Sequence, residues 1–228
     1  MTHFVDVTLV SAAGEEQHRA PVAQLVIAGW TGRDRAAVEK HIRELEELGV
    51  KRPSTTPVYY RVAANRITTA PVIQVSGAAS SGEVEFVLAQ WKGELWVGLG
   101  SDHTDRHAET FDVTVSKQMC DKPIARTFWR FADVEAHWDD IAMRSFIAES
   151  GGRIAYQQGK TSGMLSPREL VRGFAPGGLP EGTLMFCGTF AAIGGIRPSS
   201  RFEGELEDAR LGRAITFAYG VEELPIVS

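Results

Sequence analysis

The sequence predicts a mainly β chain with a few helices, an α+β class, on three observations. Gly and Pro, 23 and 10 of the 228 residues, are spread along the chain and cut it into short apolar runs. Several of those runs alternate at the two-residue period of a strand. Only one long stretch, residues 31–49, carries the helical period.

In order, residues 4–10 and 22–28 read as short strands bracketing a polar loop at 14–19. Thr31-Gly-Arg-Asp34 then has capping-box form and Gly49 is a helix stop, with Val38, Ile42, Leu45 and Leu48 forming a buried stripe between them. At about 100° per residue His41 falls inside that stripe, and Glu44 lies on its edge beside it. An imidazole turned inward next to a carboxylate is a general-base pair, with Glu44 orienting the ring and raising its basicity. A core histidine satisfied by a neighbouring glutamate has the same spacing. Residues 51–57, Lys-Arg-Pro-Ser-Thr-Thr-Pro, are linker-like and mark off an N-terminal region, 1–57, from the rest, 58–228, with one structural unit expected across both.

Beyond the linker, Val58–Val62, residues 67–69 and Val72–Ser76 are strand candidates. Residues 111–117 alternate weakly, 128–138 hold four large aromatics and suit a helix, and 139–149 fit either state. Gly151-Gly152 turns the chain into a return strand at 153–157. Ser166 caps a short helix with Pro167 at its first position. The turn cluster at 177–182 leads into an apolar strand at 183–187, and 202–215 forms a hairpin around 208–212. Gly188-Thr189 and Gly194-Gly195 are places where backbone amides approach a ligand closely.

The hairpin at 82–106 carries the chemistry. A two-residue loop at Lys92-Gly93 pairs Trp91 with Glu94. Counting outward sets Ala89 against Trp96, Phe86 against Leu99 and Glu83 against Asp102, while Glu85 shares the face of Glu83. Three carboxylates then converge on one patch and repel one another unless protons or a cation intervene. A hard divalent cation suits an all-oxygen donor set. An isolated Glu-x-Glu is more often a pair of solvated charges, and a one-residue slip would send Asp102 to the other face.

Composition narrows the function classes. A formal charge of −5, with no Lys/Arg run, argues against nucleic acid as a partner. No apolar stretch nears the roughly 18 residues of a membrane span. Residues 1–11 lack a basic start and contain Asp6, so they read as a strand and not as a secretory signal. Cys120 and Cys187 match neither a disulfide framework nor zinc-ligand spacing, which makes a reducing, cytoplasmic setting the expectation.

The motifs, in this order, resemble the fumarylacetoacetate hydrolase superfamily from about residue 25 to 218. His41-Ile-Arg-Glu44 is similar to its His-x-x-Glu dyad on a short lid helix, and Glu83-Val-Glu85 to its metal-binding Glu-x-Glu. Ser101-Asp-His-Thr-Asp-Arg106 is similar to its Asp-x-[Ser/Thr]-x-Arg, and Ser116-Lys117-Gln-Met to its Gly-Lys-Ser-Phe. Residues 152–167 and Gly182-Thr-Leu-Met-Phe-Cys-Gly-Thr189 are similar to two further segments. The resemblance falls nearest one of the superfamily's uncharacterised groups, so no substrate comes with it.

The resemblance implies a mixed β-sheet roll or barrel with a lid helix, a homodimer, and Mg²⁺ or Mn²⁺ on Glu83, Glu85 and Asp102. It further implies Arg106 and Lys117 in the site, Thr189 as a ligand-binding hydroxyl, and a small oxo-acid substrate. The implied reaction is hydrolysis of a carbon–carbon bond in an acylpyruvate-like 2-oxo acid, with decarboxylation, hydration or dehydration as alternatives on the same site. A non-catalytic metal- or ligand-binding protein is the reading from another class, but it has no use for a base at His41. Glu109 stands where the superfamily commonly has Gln, Phe190 where it has Pro, and Asp121 where a Thr often follows the Lys motif. An ionised Glu109 cannot donate a hydrogen bond to a developing oxyanion as Gln does.

Overall fold

The computed structural model describes residues 3–47 and 52–227. In chain order the strands are β1 (His3–Ser11), β2 (Gly14–Val22), β3 (Gln24–Gly29), β4 (Val58–Val62), β5 (Ile67–Thr68), β6 (Val72–Ser76), β7 (Ser80–Ser81), β8 (Val84–Trp91), β9 (Glu94–Ser101), β10 (Thr104–Asp105), β11 (Lys122–Pro123), β12 (Thr127–Arg130), β13 (Ala142–Glu149), β14 (Gly152–Lys160), β15 (Thr183–Phe186), β16 (Arg201–Asp208) and β17 (Arg213–Leu224). The α-helices are α1 (Arg35–Glu47), α2 (Arg106–Glu109), α3 (Val113–Met119) and α4 (Pro167–Phe174).

Eight strands form one sheet in the order β2-β1-β12-β9-β8-β15-β3-β4, parallel only at β1/β12 and β15/β3. The sheet curls into a half-barrel around its own apolar face, where Leu25, Val87, Ala89, Trp91, Phe128 and Phe186 meet. Its other face packs Phe86, Leu88, Val97 and Leu99 against Met143, Ile147, Phe202 and Leu206 of a second sheet, ordered β14-β13-β16-β17-β6. Each fully buried side chain of this kind contributes roughly 1.5–3 kcal/mol. With both faces covered, β8 is apolar almost throughout, so Glu85 stands out as the one acidic residue in its run. Among the described residues no helix is long and apolar enough to cross a membrane.

Four local expectations change. Residues 14–19 are not a loop but most of β2, which turns at Ala12-Ala13 and pairs Ser11 with Gly14. As an edge strand it needs backbone pairing but no apolar face, so its polar sequence hides it. The cap of α1 is Asp34, not Thr31: Asp34 Oδ1 accepts the Ala36 and Ala37 N–H groups at 2.9 and 3.1 Å. Residues 111–117 contribute to α3, capped by Asp112 on the Val115 N–H at 2.9 Å, because three residues are too few for alternation to outweigh a cap. Residues 128–138 supply β12 and two 3₁₀ turns, with Phe128, Trp129, Phe131 and Trp138 buried. Gly49 and Leu48 lie outside the described residues.

Candidate active site

The β8–β9 hairpin has the register obtained by counting. Lys92 and Gly93 adopt φ of 57° and 74°, the left-handed pair that a tight two-residue turn demands. Trp91 pairs with Glu94, Ala89 with Trp96, Phe86 with Leu99 and Val84 with Ser101. One step further, the Asp102 N–H donates to the Glu83 carbonyl at 3.0 Å. Carboxylate oxygens of Glu83, Glu85 and Asp102 lie within 4.8 Å of one another. Glu85 and Asp102 are buried, and Glu83 is half-buried.

Each carboxylate has its own surroundings. Glu85 Oε2 accepts the Gly188 N–H at 2.7 Å, yet burial and then the Asp102 charge push its pKa well up. The Gly188 amide thus holds a carboxylate of the protein. Gly188 has φ of 95°, and a Cβ there would meet Thr31 Oγ1 at 1.8 Å, so only glycine fits. For Asp102, burial alone would raise the pKa, but the ammonium groups of Lys117 and Lys122 outweigh it and hold the carboxyl at about 2. Lys117 Nζ donates to Asp102 Oδ2, and Lys122 Nζ lies 3.1 Å from Oδ1.

Three cations therefore interleave with three carboxylates. Burial opposes the charge of Lys117, but Asp102, Glu83 and Glu85 reverse this and raise its pKa. Lys122 has no solvent exposure, and burial lowers its pKa despite Asp102; it also donates to the His103 carbonyl. Arg106 spreads its guanidinium over three partners: Ser81 Oγ at 2.7 Å, Glu109 Oε2 at 2.8 Å and Glu83 Oε1 at 3.0 Å. The contact with Glu83 is an ion pair outside hydrogen-bond geometry, which leaves buried Nη2 donor capacity.

A second ring of contacts holds the hairpin in place. Gln157 accepts the Val84 N–H and the Ser145 hydroxyl, both at 2.9 Å, and donates to Thr189 Oγ1 and the Phe190 carbonyl, both at 2.7 Å. Thr189 in turn donates to the Val84 carbonyl at 2.6 Å, so its hydroxyl hydrogen is committed to the strand. His103 lies between Ser80 Oγ and the Tyr219 hydroxyl, each 2.9 Å away. Burial, then Lys122 and Arg106, press its pKa down to about 3, so the ring is neutral.

A cavity of about 720 Å³ opens over this cluster. Glu83, Glu85, Arg106, Glu109, Lys117 and Thr189 all line it, and the start of α1 contributes Asp34, Ala37 and Val38. His41 and Glu44 follow on α1, less than one turn and two turns beyond Val38 in the chain, and their side chains lie outside the described residues. Asp102 is reached through Lys117 and Lys122 at the back of the cluster.

Lys122 and Gln157 have parts in the site that their sequence positions did not assign, and the Gly188 amide, read as a place for a ligand, holds Glu85 instead. The sequence signal for Lys122 is a lone lysine entering the uncharged run Pro123-Ile-Ala. Its position comes from the parallel pairing of β11 with β5 and from the Ala125 N–H on the Leu99 carbonyl, 2.8 Å, neither of which is local.

The donor set suits a hard divalent cation, since all three groups offer oxygen. Asp102 Oδ1 is buried and accepts no hydrogen bond of good geometry, its charge being met by the Lys122 ammonium 3.1 Å away.

Residues 28–219 match the family model described as "Protein of unknown function (DUF2848)". No curated protein matches the chain. Among solved structures it is similar to a candidate fumarylpyruvate hydrolase from Burkholderia cenocepacia, at 19% identity and a TM-score of 0.64, over 99% of this chain and 98% of that one. A yeast fumarylacetoacetate hydrolase family protein is 18% identical with a TM-score of 0.63, over 90% and 95% of the two chains. A 2-keto-3-deoxy-D-arabinonate dehydratase, complexed with magnesium and 2,5-dioxopentanoate, is 14% identical with a TM-score of 0.64, over 89% and 74%. The fold is that of fumarylacetoacetate hydrolase family proteins, and the chain belongs to the family described as Protein of unknown function (DUF2848).

Proposed function

We propose that this protein is a divalent-metal-dependent hydrolase that cleaves a carbon–carbon bond in an acylpyruvate-like 2-oxo acid. The observation that carries the reading is the carboxylate triad, of which Glu83 and Glu85 line the cavity with Arg106 and Lys117 while Asp102 lies behind them. Glu83, Glu85 and Asp102 would hold Mg²⁺ or Mn²⁺, whose chemistry is to polarise a chelated carbonyl. A fold neighbour, the 2-keto-3-deoxy-D-arabinonate dehydratase complexed with magnesium, supports a metal of this class by analogy.

Arg106, with donor capacity left on Nη2, binds the carboxylate at the head of the substrate, and Lys117 keeps a fixed positive charge beside the oxygen that gains electron density. His41, oriented by Glu44, takes a proton from water. The hydroxide adds to the acyl carbon, the bond from that carbon to the methylene breaks, the methylene carbon takes the proton held by His41, and a carboxylic acid and pyruvate leave. Thr189, hydrogen-bonded to Val84 and Gln157, keeps the wall of the site rigid. A homodimer in a reducing, cytoplasmic compartment belongs to the same proposal, supported by the family resemblance and by two unpaired cysteines.

One observation favours a second reading, decarboxylation or dehydration of a small 2-oxo acid. Glu109 is spent on Arg106 and offers no amide donor where a tetrahedral oxyanion would form. The test is a screen of acylpyruvates and oxaloacetate with Mg²⁺ or Mn²⁺, wild type against His41→Ala. Acylpyruvate cleavage reduced about 10²–10⁴-fold by His41→Ala supports the hydrolase. Turnover indifferent to that change removes His41 from the mechanism, and metal binding without turnover of any substrate favours the non-catalytic alternative.

A further inference from the structure

The charged groups around the cavity are unevenly balanced. Arg106 and Lys117 are its cationic walls among the described residues, and both are engaged by acids: Lys117 is bound to Asp102, and Arg106 bridges Glu83 and Glu109. Lys122, behind them, is also turned to Asp102. Besides Glu83 and Glu85, the acidic lining groups among the described residues are Asp34 and Glu109. Asp34 is engaged with the first turn of α1, and Glu109 holds Nη1 of Arg106. Much of the remaining lining is apolar or aromatic, from Ile27, Trp30, Val38, Tyr60, Val113 and Ile196, with the Tyr60 ring centroid 5.8 Å from Lys117 Nζ.

We propose that the ligand is a monocarboxylic 2-oxo acid with an apolar or aromatic tail, and that Glu109 is the residue that excludes a second carboxylate. The proposal rests on the chelating reading of the triad and adds the class of substrate to it. A head of carboxylate and 2-oxo group satisfies the cation site and Nη2 of Arg106. A tail of about six to nine carbon atoms then exchanges water for the walls of Trp30, Tyr60 and Val113, the favourable transfer that apolar surface provides. A distal carboxylate in the same place finds, among the described lining residues, only cations already engaged by acids, loses its hydration and is repelled by Glu109. Glutamine at position 109 would remove that repulsion and also release the Nη1 side of Arg106 for an anion. The residue thus decides between diacid and monoacid substrates while sitting outside the triad.

The experiment is calorimetric titration of the Mn²⁺-saturated protein with oxalate, phenylpyruvate and 2-oxoglutarate, for wild type and Glu109→Gln. Oxalate reports the chelating head alone. The expected result is Mn²⁺-dependent binding of oxalate and phenylpyruvate, with 2-oxoglutarate weaker than phenylpyruvate by about tenfold or more, as like-charge contacts in a desolvated site require. In Glu109→Gln the gap should narrow at least about threefold, with 2-oxoglutarate binding gaining more than phenylpyruvate binding. If oxalate binds but 2-oxoglutarate equals or exceeds phenylpyruvate in the wild type, the tail assignment is overturned and the chelating head stands. If the gap exists but Glu109→Gln leaves it unchanged, Glu109 is not the discriminating residue. If oxalate itself does not bind with Mn²⁺, the chelating reading fails and takes this inference with it.

Discussion

Lys122 places its ammonium 3.1 Å from Oδ1 of Asp102, and both side chains are closed to solvent. Together with Lys117 on Oδ2, it makes Asp102 the best-compensated acid of the triad before any metal arrives. The ion pair is thereby a structural element as well as a neighbour of the chemistry.

Replacing Lys122 by Met keeps the volume and removes the charge. Breaking a buried pair on one side leaves the partner uncompensated and costs about 3–5 kcal/mol. Urea unfolding in EDTA should show a loss of that size, and added Mn²⁺ should recover part of it by supplying the missing positive charge. A variant as stable as wild type in EDTA would remove Lys122 from the structural role.

Glu85→Gln should separate metal binding from folding. Glu85 is the carboxylate that burial and Asp102 push towards its neutral form, and the Gln amide oxygen can still accept the Gly188 N–H. The variant should unfold within about 1 kcal/mol of the metal-free wild type, because a buried neutral isostere replaces a poorly solvated acid. Its Mn²⁺ affinity should fall at least about tenfold, as the loss of a charged oxygen ligand predicts. Titration calorimetry and thermal melts on the same samples decide both halves.

Gly188→Ala meets two obstacles, the φ of 95° and the Thr31 hydroxyl 1.8 Å from the new Cβ. A loss of roughly 2–4 kcal/mol is expected, the strain of a positive φ adding to overpacking. The Gly188→Ala/Thr31→Ala double variant should regain part of the loss but not all of it, because only the clash is relieved. Additive losses in denaturant melts would mean that the two residues do not press on each other.

The two cysteines should resist thiol reagents. Burial lifts Cys120 to about 11, and burial followed by the Glu85 charge lifts Cys187 well above the usual thiol range. Since the thiolate is the reactive form, both stay protonated at pH 8. An aromatic disulfide assay should count no fast-reacting thiol in the native protein and two after unfolding. Rapid labelling of Cys187 in the native state would contradict its burial beside Glu85.

The capped helix α4 and the three central hairpin pairs were legible because their causes are local. Ser166, Pro167 and Glu169 form a capping box within four residues, and the Lys92-Gly93 turn closes its own register. β2 was not legible, since an edge strand with exposed side chains lacks the apolar alternation by which strands are read. The aromatic run at 128–138 misled for the opposite reason: aromatic residues are buried equally well by strands and by 3₁₀ turns.

The sequence by itself determined that Glu83 stands opposite Asp102. Once the turn has two residues, a side-chain period of two carries the pairing from Trp91 and Glu94 out to Glu83 and Asp102, and both act within 20 residues. Only the tertiary structure decided what surrounds those acids. Lys122 arrives through the β11–β5 pairing, Gly188 follows β15, and Gln157 comes from β14 in the other sheet. Such meetings depend on which distant strands pair and how a sheet curls, and no residue spacing encodes that choice.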